Sequence, residues 1–266
     1  MNQIIDSFPE ILDFAKNYHL PVTKKRAILR EYLQSKILRE IYKNKLSVNL
    51  LFVGGTSLRL LHNLDRFSED LDFDFEESFK HNLSGLIADI HRQLKKENIE
   101  VELYKNKTVR REYFEFRFSD LLAELKISSE REEKLVIKLD FEHFWHGHCR
   151  EIKLLNRYGF LINVVTIPLN QMLVQKLYAY LNRRQTLARD LYDIVWLISH
   201  NAKFDRDFSR KNNINITGLI NAAEKKFLNE KKKLKNLKLK LAPYLIDEEN
   251  ADKLILFTDI LKGSLI

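Results

Sequence analysis

Residues 51–75 read LFVGGTSLRLLHNLDRFSEDLDFDF, and two patterns in this stretch decide the architecture. Leu51, Phe52 and Val53 form a short apolar run that stops at Gly54-Gly55. Thr56 and Ser57 then open a helix around Ser57–His62, so a strand turns sharply into a helix. From Asp70 to Phe75 acid and apolar residues alternate strictly, which is the period of a strand.

Each pattern has a chemical use. Glycines let a backbone come close to a phosphate, and the unpaired N–H groups and dipole of a helix start favour an anion. The Ser57 hydroxyl adds a donor. Asp70 and Asp72 leave the same face of their strand, while Leu71, Phe73 and Phe75 leave the other. Two close carboxylates repel unless a cation neutralises them. Mg²⁺, a hard ion that takes a few oxygens from protein, is the expected one, and paired metals clamp the attacking and leaving oxygens of a phosphoryl transfer. Asp74 continues the acid face and, as the third acid down the strand, reads as solvated.

A third carboxylate comes from Leu135–Glu142, LVIKLDFE, where Lys138, Asp140 and Glu142 share one face and the apolar residues the other. Pairing this strand with the Asp70 strand would bring Asp140 beside Asp70 and Asp72. Glu142 is the competing choice, and the more central Asp140 is favoured.

Around this centre the first residues read as two helices, Ile4–Tyr18 and Lys24–Asn44, and another helix is expected at Leu83–Glu97. Strands are expected at Glu100–Tyr104, Tyr113–Phe118, Leu135–Phe141, Glu151–Leu155 and Phe160–Val165. After Pro168 the pattern is helical: Leu169–Asn182, Thr186–Ser199, Thr217–Glu230, Lys231–Leu241 and Glu248–Leu261. This is an α+β chain, with a mixed-sheet domain over residues 1–167 and a helical bundle over 168–266.

Composition narrows the class further. The 266 residues are 45% hydrophobic with 17 Phe and 10 Tyr, enough for a real core and against a disordered chain. Seven Gly and four Pro argue against a turn-rich all-β protein. One cysteine, Cys149, cannot form an internal disulfide, so a reducing, cytoplasmic compartment is expected. The N-terminus has no signal-peptide pattern, and the long uncharged stretch from Tyr158 to Gln175 is broken by Asn163, Pro168 and Asn170, so no membrane span is expected.

The net charge is +8, and the segment 225–240, KKFLNEKKKLKNLKLK, carries +7 of it. Phe227, Leu234, Leu237 and Leu241 recur at helical spacing, so this segment buries one stripe and shows lysines on the other side. Its lysines, Lys231, Lys232, Lys233 and Lys235 among them, form either a solvated face or an RNA-backbone surface.

Gly-Gly-x-Ser, a gap, Asp-x-Asp on a strand and a later strand Asp together resemble the nucleotidyltransferase superfamily of the polymerase β type. The string GGTSLRLLHNLDRFSEDLDF, with the later KLYAYLNRRQTLARDLYDIVWL (176–197), resembles more narrowly the AbiEii/AbiGii toxins of type IV toxin–antitoxin and abortive-infection systems. The resemblance covers roughly residues 50–200. It implies a small polymerase β-like mixed sheet flanked by helices and followed by a helical bundle. It further implies that Gly55 and Ser57 hold the β- and γ-phosphates of an NTP, with Gly54 beside them in the NTP site, and that Asp70, Asp72 and Asp140 hold a two-metal Mg²⁺ site. Asp140 would help deprotonate the acceptor hydroxyl.

Lys176, at the head of an uncharged helix, is expected at the triphosphate. Arg189 and Asp193 are further NTP-site candidates. Asp190 and Asp193 share a helix side, so one can position a ligand while the other pairs with Arg183, Arg184 or Arg189. Arg66 and Ser68 either fix the turn before the acid strand or touch phosphate. His143, His146 and His148 with Cys149 are too compressed for a zinc cage and read as a surface loop.

The function expected is a Mg²⁺-dependent toxin that moves a nucleotide from an NTP to an acceptor hydroxyl, by analogy the 3′ end of tRNA. A cognate antitoxin is an expected partner. The alternatives are nucleotidylation of a protein or a small molecule, and an inactive nucleotide- or RNA-binding module.

Overall fold

A computed structural model describes residues 3–107 and 112–264 of the chain. By internal packing it divides into two compact units. The first comprises the residues up to Asn63, Phe67–Phe144 and Ile152–Thr166; the second comprises Leu64–Arg66, Trp145–Glu151 and the chain from Ile167 onward.

In the first unit α1 (Gln3–Asn17) buries Ile4, Phe8, Ile11 and Ala15, a single stripe at helical spacing. It packs on α2 (Lys25–Lys43), whose buried side carries Ile28, Leu29, Leu33, Ile37, Leu38 and Ile41. Seven strands make one mixed sheet: β1 (Leu50–Val53), β2 (Leu71–Phe75), β3 (Glu102–Lys107), β4 (Glu112–Phe118), β5 (Leu135–Glu142), β6 (Glu151–Arg157) and β7 (Phe160–Thr166). Their order is β3-β4-β5-β2-β1-β7-β6. β1 is antiparallel to β2 and parallel to β7, whereas β2 and β5 are parallel. α3 (Gly54–His62), α4 (Leu83–Lys96) and a one-turn α5 (Leu121–Glu124) complete the unit.

Strand alternation sorts the two faces. Phe114, Phe116 and Phe118 on β4 and Leu135, Ile137, Leu139 and Phe141 on β5 are all buried. Phe73 stacks on Phe141 at 5.2 Å and lies 5.4 Å from Phe52, so one aromatic row ties β1, β2 and β5 together. That row sets the register of the acid face opposite it, since a one-residue slip would exchange the faces.

The second unit is helical: α6 (Leu169–Asn182), α7 (Ala188–Ser199), α8 (Arg206–Lys211), α9 (Ile216–Glu230), α10 (Leu234–Leu241) and α11 (Phe257–Gly263). α6 packs against α7 and α9, and α7 against α11. Phe257 sits between Tyr180 and Phe227 at the centre.

Three expectations need correction. Glu248–Leu261 is not one α-helix: Glu248–Leu256 is 3₁₀ and only then does α11 begin. Ala251, Leu254 and Phe257 are the buried residues, and a spacing of three is what a 3₁₀ run aligns on one side. The expected helix Lys231–Leu241 begins later, because Lys231–Lys233 form a 3₁₀ turn between α9 and α10. The stripe of the lysine-rich segment does reach the interior at Phe227, Leu237 and Leu241, with Lys231, Lys232, Lys233 and Lys235 exposed. Lys176 lies in the middle of α6 rather than at its head. Among the described residues no helix is long and apolar enough to cross a membrane.

Candidate active site

Val53 ends β1 and caps α3 without a side-chain hydrogen bond. The N–H groups of Gly54, Gly55 and Thr56 therefore find no acceptor within the helix, and they carry the positive end of its dipole. Gly54 holds φ +78°, and a Cβ built on it would lie 2.2 Å from Asp72 Oδ2. The Asp72 carboxylate thus rests directly against the glycine turn, and only a residue without a side chain leaves it room.

Register brings the acids together. β2 pairs β5 with Asp72 opposite Asp140 and Asp74 opposite Glu142, and β1 pairs β2 with Val53 opposite Asp72. Partners in a ladder point to the same side, so Asp72 and Asp140 share a face. Asp70 immediately precedes β2, which begins at Leu71. Asp74, between Leu51 of β1 and Glu142 of β5 in the ladder, is buried, not solvated as its place at the end of the acid row suggested. Asp140 is also buried, and its Oδ2 takes an ion pair of 2.7 Å from Lys138 Nζ, the neighbour two residues back on the same face. That ammonium also sits 4.4 Å from the centre of the Tyr113 ring, opposite Asp140 on β4.

Several supports of this site escape the sequence reading. Thr56 Oγ1 donates to the Asp70 carbonyl, tying the head of α3 to the start of the acid strand. Gln34 Nε2 donates to the carbonyls of Ser68 (3.1 Å) and Glu69 (2.9 Å), which sets the RFSED turn. Arg59 of α3 is held by Glu31 of α2, Nε to Oε2 at 2.7 Å, with both groups buried. Tyr158 O–H donates to Glu31 Oε1 at 3.1 Å. Gln34 and Glu31 were the legible signals, polar residues among Ile28, Leu33, Ile37 and Leu38 on the buried side of α2. Ser57 is fully buried, and its hydroxyl lies 3.2 Å from Thr166 Oγ1, so the side chain is engaged inside the unit.

The second unit brings together another set of candidates. Asp193 is wholly buried and receives both Nε and Nη2 of Arg66 at 2.7 Å. Lys176 Nζ meets Asp193 Oδ2 at 2.7 Å. Burial alone would raise the Asp193 pKa; the charges of Arg66 and Lys176, with their hydrogen bonds, more than reverse this and hold the carboxyl below its ordinary range. Asp190 pairs with Arg183 at 2.9 Å, while the Arg189 guanidinium lies 5.9 Å from the Tyr244 ring centre. The histidines are dispersed: His143 packs on Phe75, His148 on Phe208, and the His146 N–H donates to Asn212.

Whether the acid face suits a divalent cation is a matter of donor type and space. Asp70, Asp72 and Asp140 supply hard oxygens, and the bare Cα of Gly54 lets the Asp72 carboxylate lie against the turn, where a Cβ would collide with its Oδ2. In donor chemistry they fit Mg²⁺. Their side chains are not gathered as a cage: among the described residues no three His, Cys, Asp or Glu groups converge closely enough to hold a metal, and Asp140 is turned to Lys138.

A mixed sheet with a glycine turn into a helix and paired strand acids is the nucleotidyltransferase arrangement, and this chain is a nucleotidyltransferase. The family model "Nucleotidyl transferase AbiEii toxin, Type IV TA system" matches residues 36–256, so the chain belongs to the AbiEii family. Its fold is similar to that of JHP933 from Helicobacter pylori, with a TM-score of 0.53 at 18% identity over 90% of this chain and 93% of that one. A candidate nucleotidyltransferase from H. pylori gives 0.50 at 21% identity over 88% and 95%. No curated protein matches the sequence.

Proposed function

We propose that the protein transfers a nucleotide from an NTP to a hydroxyl of RNA, the 3′ end of tRNA, and thereby arrests growth until an antitoxin counters it. The observation that carries this reading is the Asp72–Asp140 register pair set against the Gly54 turn at the head of α3. The backbone N–H groups of Gly54 and Gly55 take the β- and γ-phosphates, adding fixed positive dipole where pyrophosphate leaves. Asp70, Asp72 and Asp140 would hold Mg²⁺, which when bound neutralises charge on the phosphoryl oxygens. Lys176 and Arg189 are proposed to serve the triphosphate, with Asp193 fixing the Lys176 ammonium.

In the reaction the acceptor oxygen attacks the α-phosphorus in line. The bond from that phosphorus to the bridging oxygen breaks, pyrophosphate leaves with the electron pair, and the hydroxyl proton passes to the Asp140 carboxylate. The protein's own contribution is placement and charge. The lysine-rich segment supplies a cationic surface for an RNA backbone.

The test is incubation of total RNA with each α-labelled NTP in turn. Wild type should label RNA with at least one NTP, and Asp70→Asn or Asp72→Asn should reduce labelling at least about a hundredfold while the fold is kept. Label appearing on protein alone, or full activity in a folded variant carrying both Asp70→Asn and Asp72→Asn, would refute the reading.

A further inference from the structure

The second unit contains a cavity of about 1020 Å³, lined by none of the acid-strand, glycine-turn or lysine-segment residues. Its wall is built by the end of α7, the loop through Lys203 and Phe204, α8, and the first turn of α9. Lys203, Arg206 and Arg210 line it, and no Asp or Glu does among the described residues. Arg210 has a partner, Asp207, at 2.8 Å, but both are nearly fully exposed, and such a pair holds the guanidinium only loosely. The cavity therefore has an excess of positive charge on one wall.

Two further features point to an anion. Ser209 lines the cavity and is 1% exposed, yet its Oγ has no hydrogen-bond partner. A buried hydroxyl left in that state is uncommon; its Oγ is closed to solvent, so meeting a ligand oxygen in the cavity requires the Ser209 side chain to turn. The opposite wall includes Asn215, Ile216 and Thr217, the N-cap and first turn of the 15-residue α9. The Asn215 side chain already accepts from the Gly218 N–H, so the N–H groups ahead of it remain available at the positive end of the helix.

We infer that this cavity docks a single-stranded sugar–phosphate segment of the RNA acceptor, with phosphates on Lys203 and Arg206 and a ribose or phosphate oxygen at Ser209. The naming of RNA rests on the proposed function above. A strand suits the cavity better than a lone nucleotide. The volume is at the upper end of small-molecule pockets, and its cations are spread along the wall instead of converging on one point. Phe204, half-buried, offers a face on which a base can stack. None of these cations belongs to the lysine-rich segment, so the two surfaces can be tested separately.

The experiment is binding of labelled bulk tRNA to the full chain over a series of salt concentrations, without NTP or divalent metal. The Lys203→Gln/Arg206→Gln variant should bind about tenfold more weakly, with the slope of log affinity against log salt reduced by about 0.7 for each phosphate no longer neutralised. Ser209→Ala should weaken binding by a few-fold without loss of thermal stability, which a merely structural hydroxyl would not do. Unchanged affinity and salt slope in both variants would overturn the inference. So would competition by AMP that is lost in the variants while tRNA binding is kept, since the cavity would then take a small nucleotide. Because no NTP is present, these results do not depend on transfer: a wild type that labels no RNA refutes the proposed function, whereas tRNA affinity lost in the cavity variants supports the docking site regardless.

Discussion

Gly54 is the residue on which the acid site turns. Its φ of +78° is a conformation that a residue with a side chain adopts only with strain, and its missing Cβ makes room for Asp72 Oδ2. Gly54→Ala should therefore lower stability by about 1–2 kcal/mol and displace the Asp72 carboxylate, with transfer activity falling at least about tenfold. Gly85 in α4 is the matched control: nothing lies within 4 Å of a Cβ placed there, so Gly85→Ala should raise stability by about 0.5–1 kcal/mol and leave activity unchanged. Urea titration and nucleotide labelling of the two variants decide the matter. Full activity in Gly54→Ala would mean that the placement of Asp72 is not what the turn provides.

Between elements, the buried Arg66–Asp193–Lys176 cluster ties the segment before the acid strand to α6 and α7 inside the second unit. Removing the carboxylate leaves a buried guanidinium and a largely buried ammonium without their counter-charge. Asp193→Ala should thus cost about 3–5 kcal/mol, far more than loss of an exposed pair. The acid limb gives a second check. The Asp193 pKa is below its ordinary 3.8 in the folded state, so its stabilisation is complete above about 3.8 and is lost as pH falls through the lower folded value. Asp193→Asn should be less stable than wild type at neutral pH, and the gap should narrow as wild type acidifies below that value. Denaturant midpoints compared across this window would show parallel curves if the pair contributed nothing.

At the scale of the molecule, charge is distributed very unevenly. The segment 225–240 holds +7 of the net +8, and its Lys231, Lys232, Lys233 and Lys235 are exposed around the 3₁₀ turn that joins α9 to α10. Changing these four to Gln should weaken tRNA binding strongly and flatten its salt dependence by about 0.7–0.9 for each phosphate that loses its cation. NTP-dependent labelling of a saturating RNA should persist, because the acid strand is untouched. An unchanged salt slope would identify the lysines as a solvated face. The leucine stripe that anchors them, Leu237 and Leu241 with Phe227, is unaffected by such substitutions, so the fold is expected to survive.

What the sequence by itself determined is whatever depends on short-range periodicity and residue chemistry. The alternation at 70–75 and 135–142 placed the acids on one side and the phenylalanines on the other, and the glycine turn opened α3 where the strand ended. The family motifs lie in those same local patterns. Only the tertiary structure decided which neighbour each group meets. It paired Asp72 with Asp140 by strand register, turned Asp140 to Lys138, buried Asp74 between two strands, and enclosed Ser57 against Thr166. It also gave Asp193 its partner Arg66, 127 residues away in the chain, and left Ser209 lining a cavity. The physical reason is that burial and ion pairing are properties of an assembled environment: a local pattern sets the direction in which a side chain leaves the backbone, while packing alone fixes what it finds there.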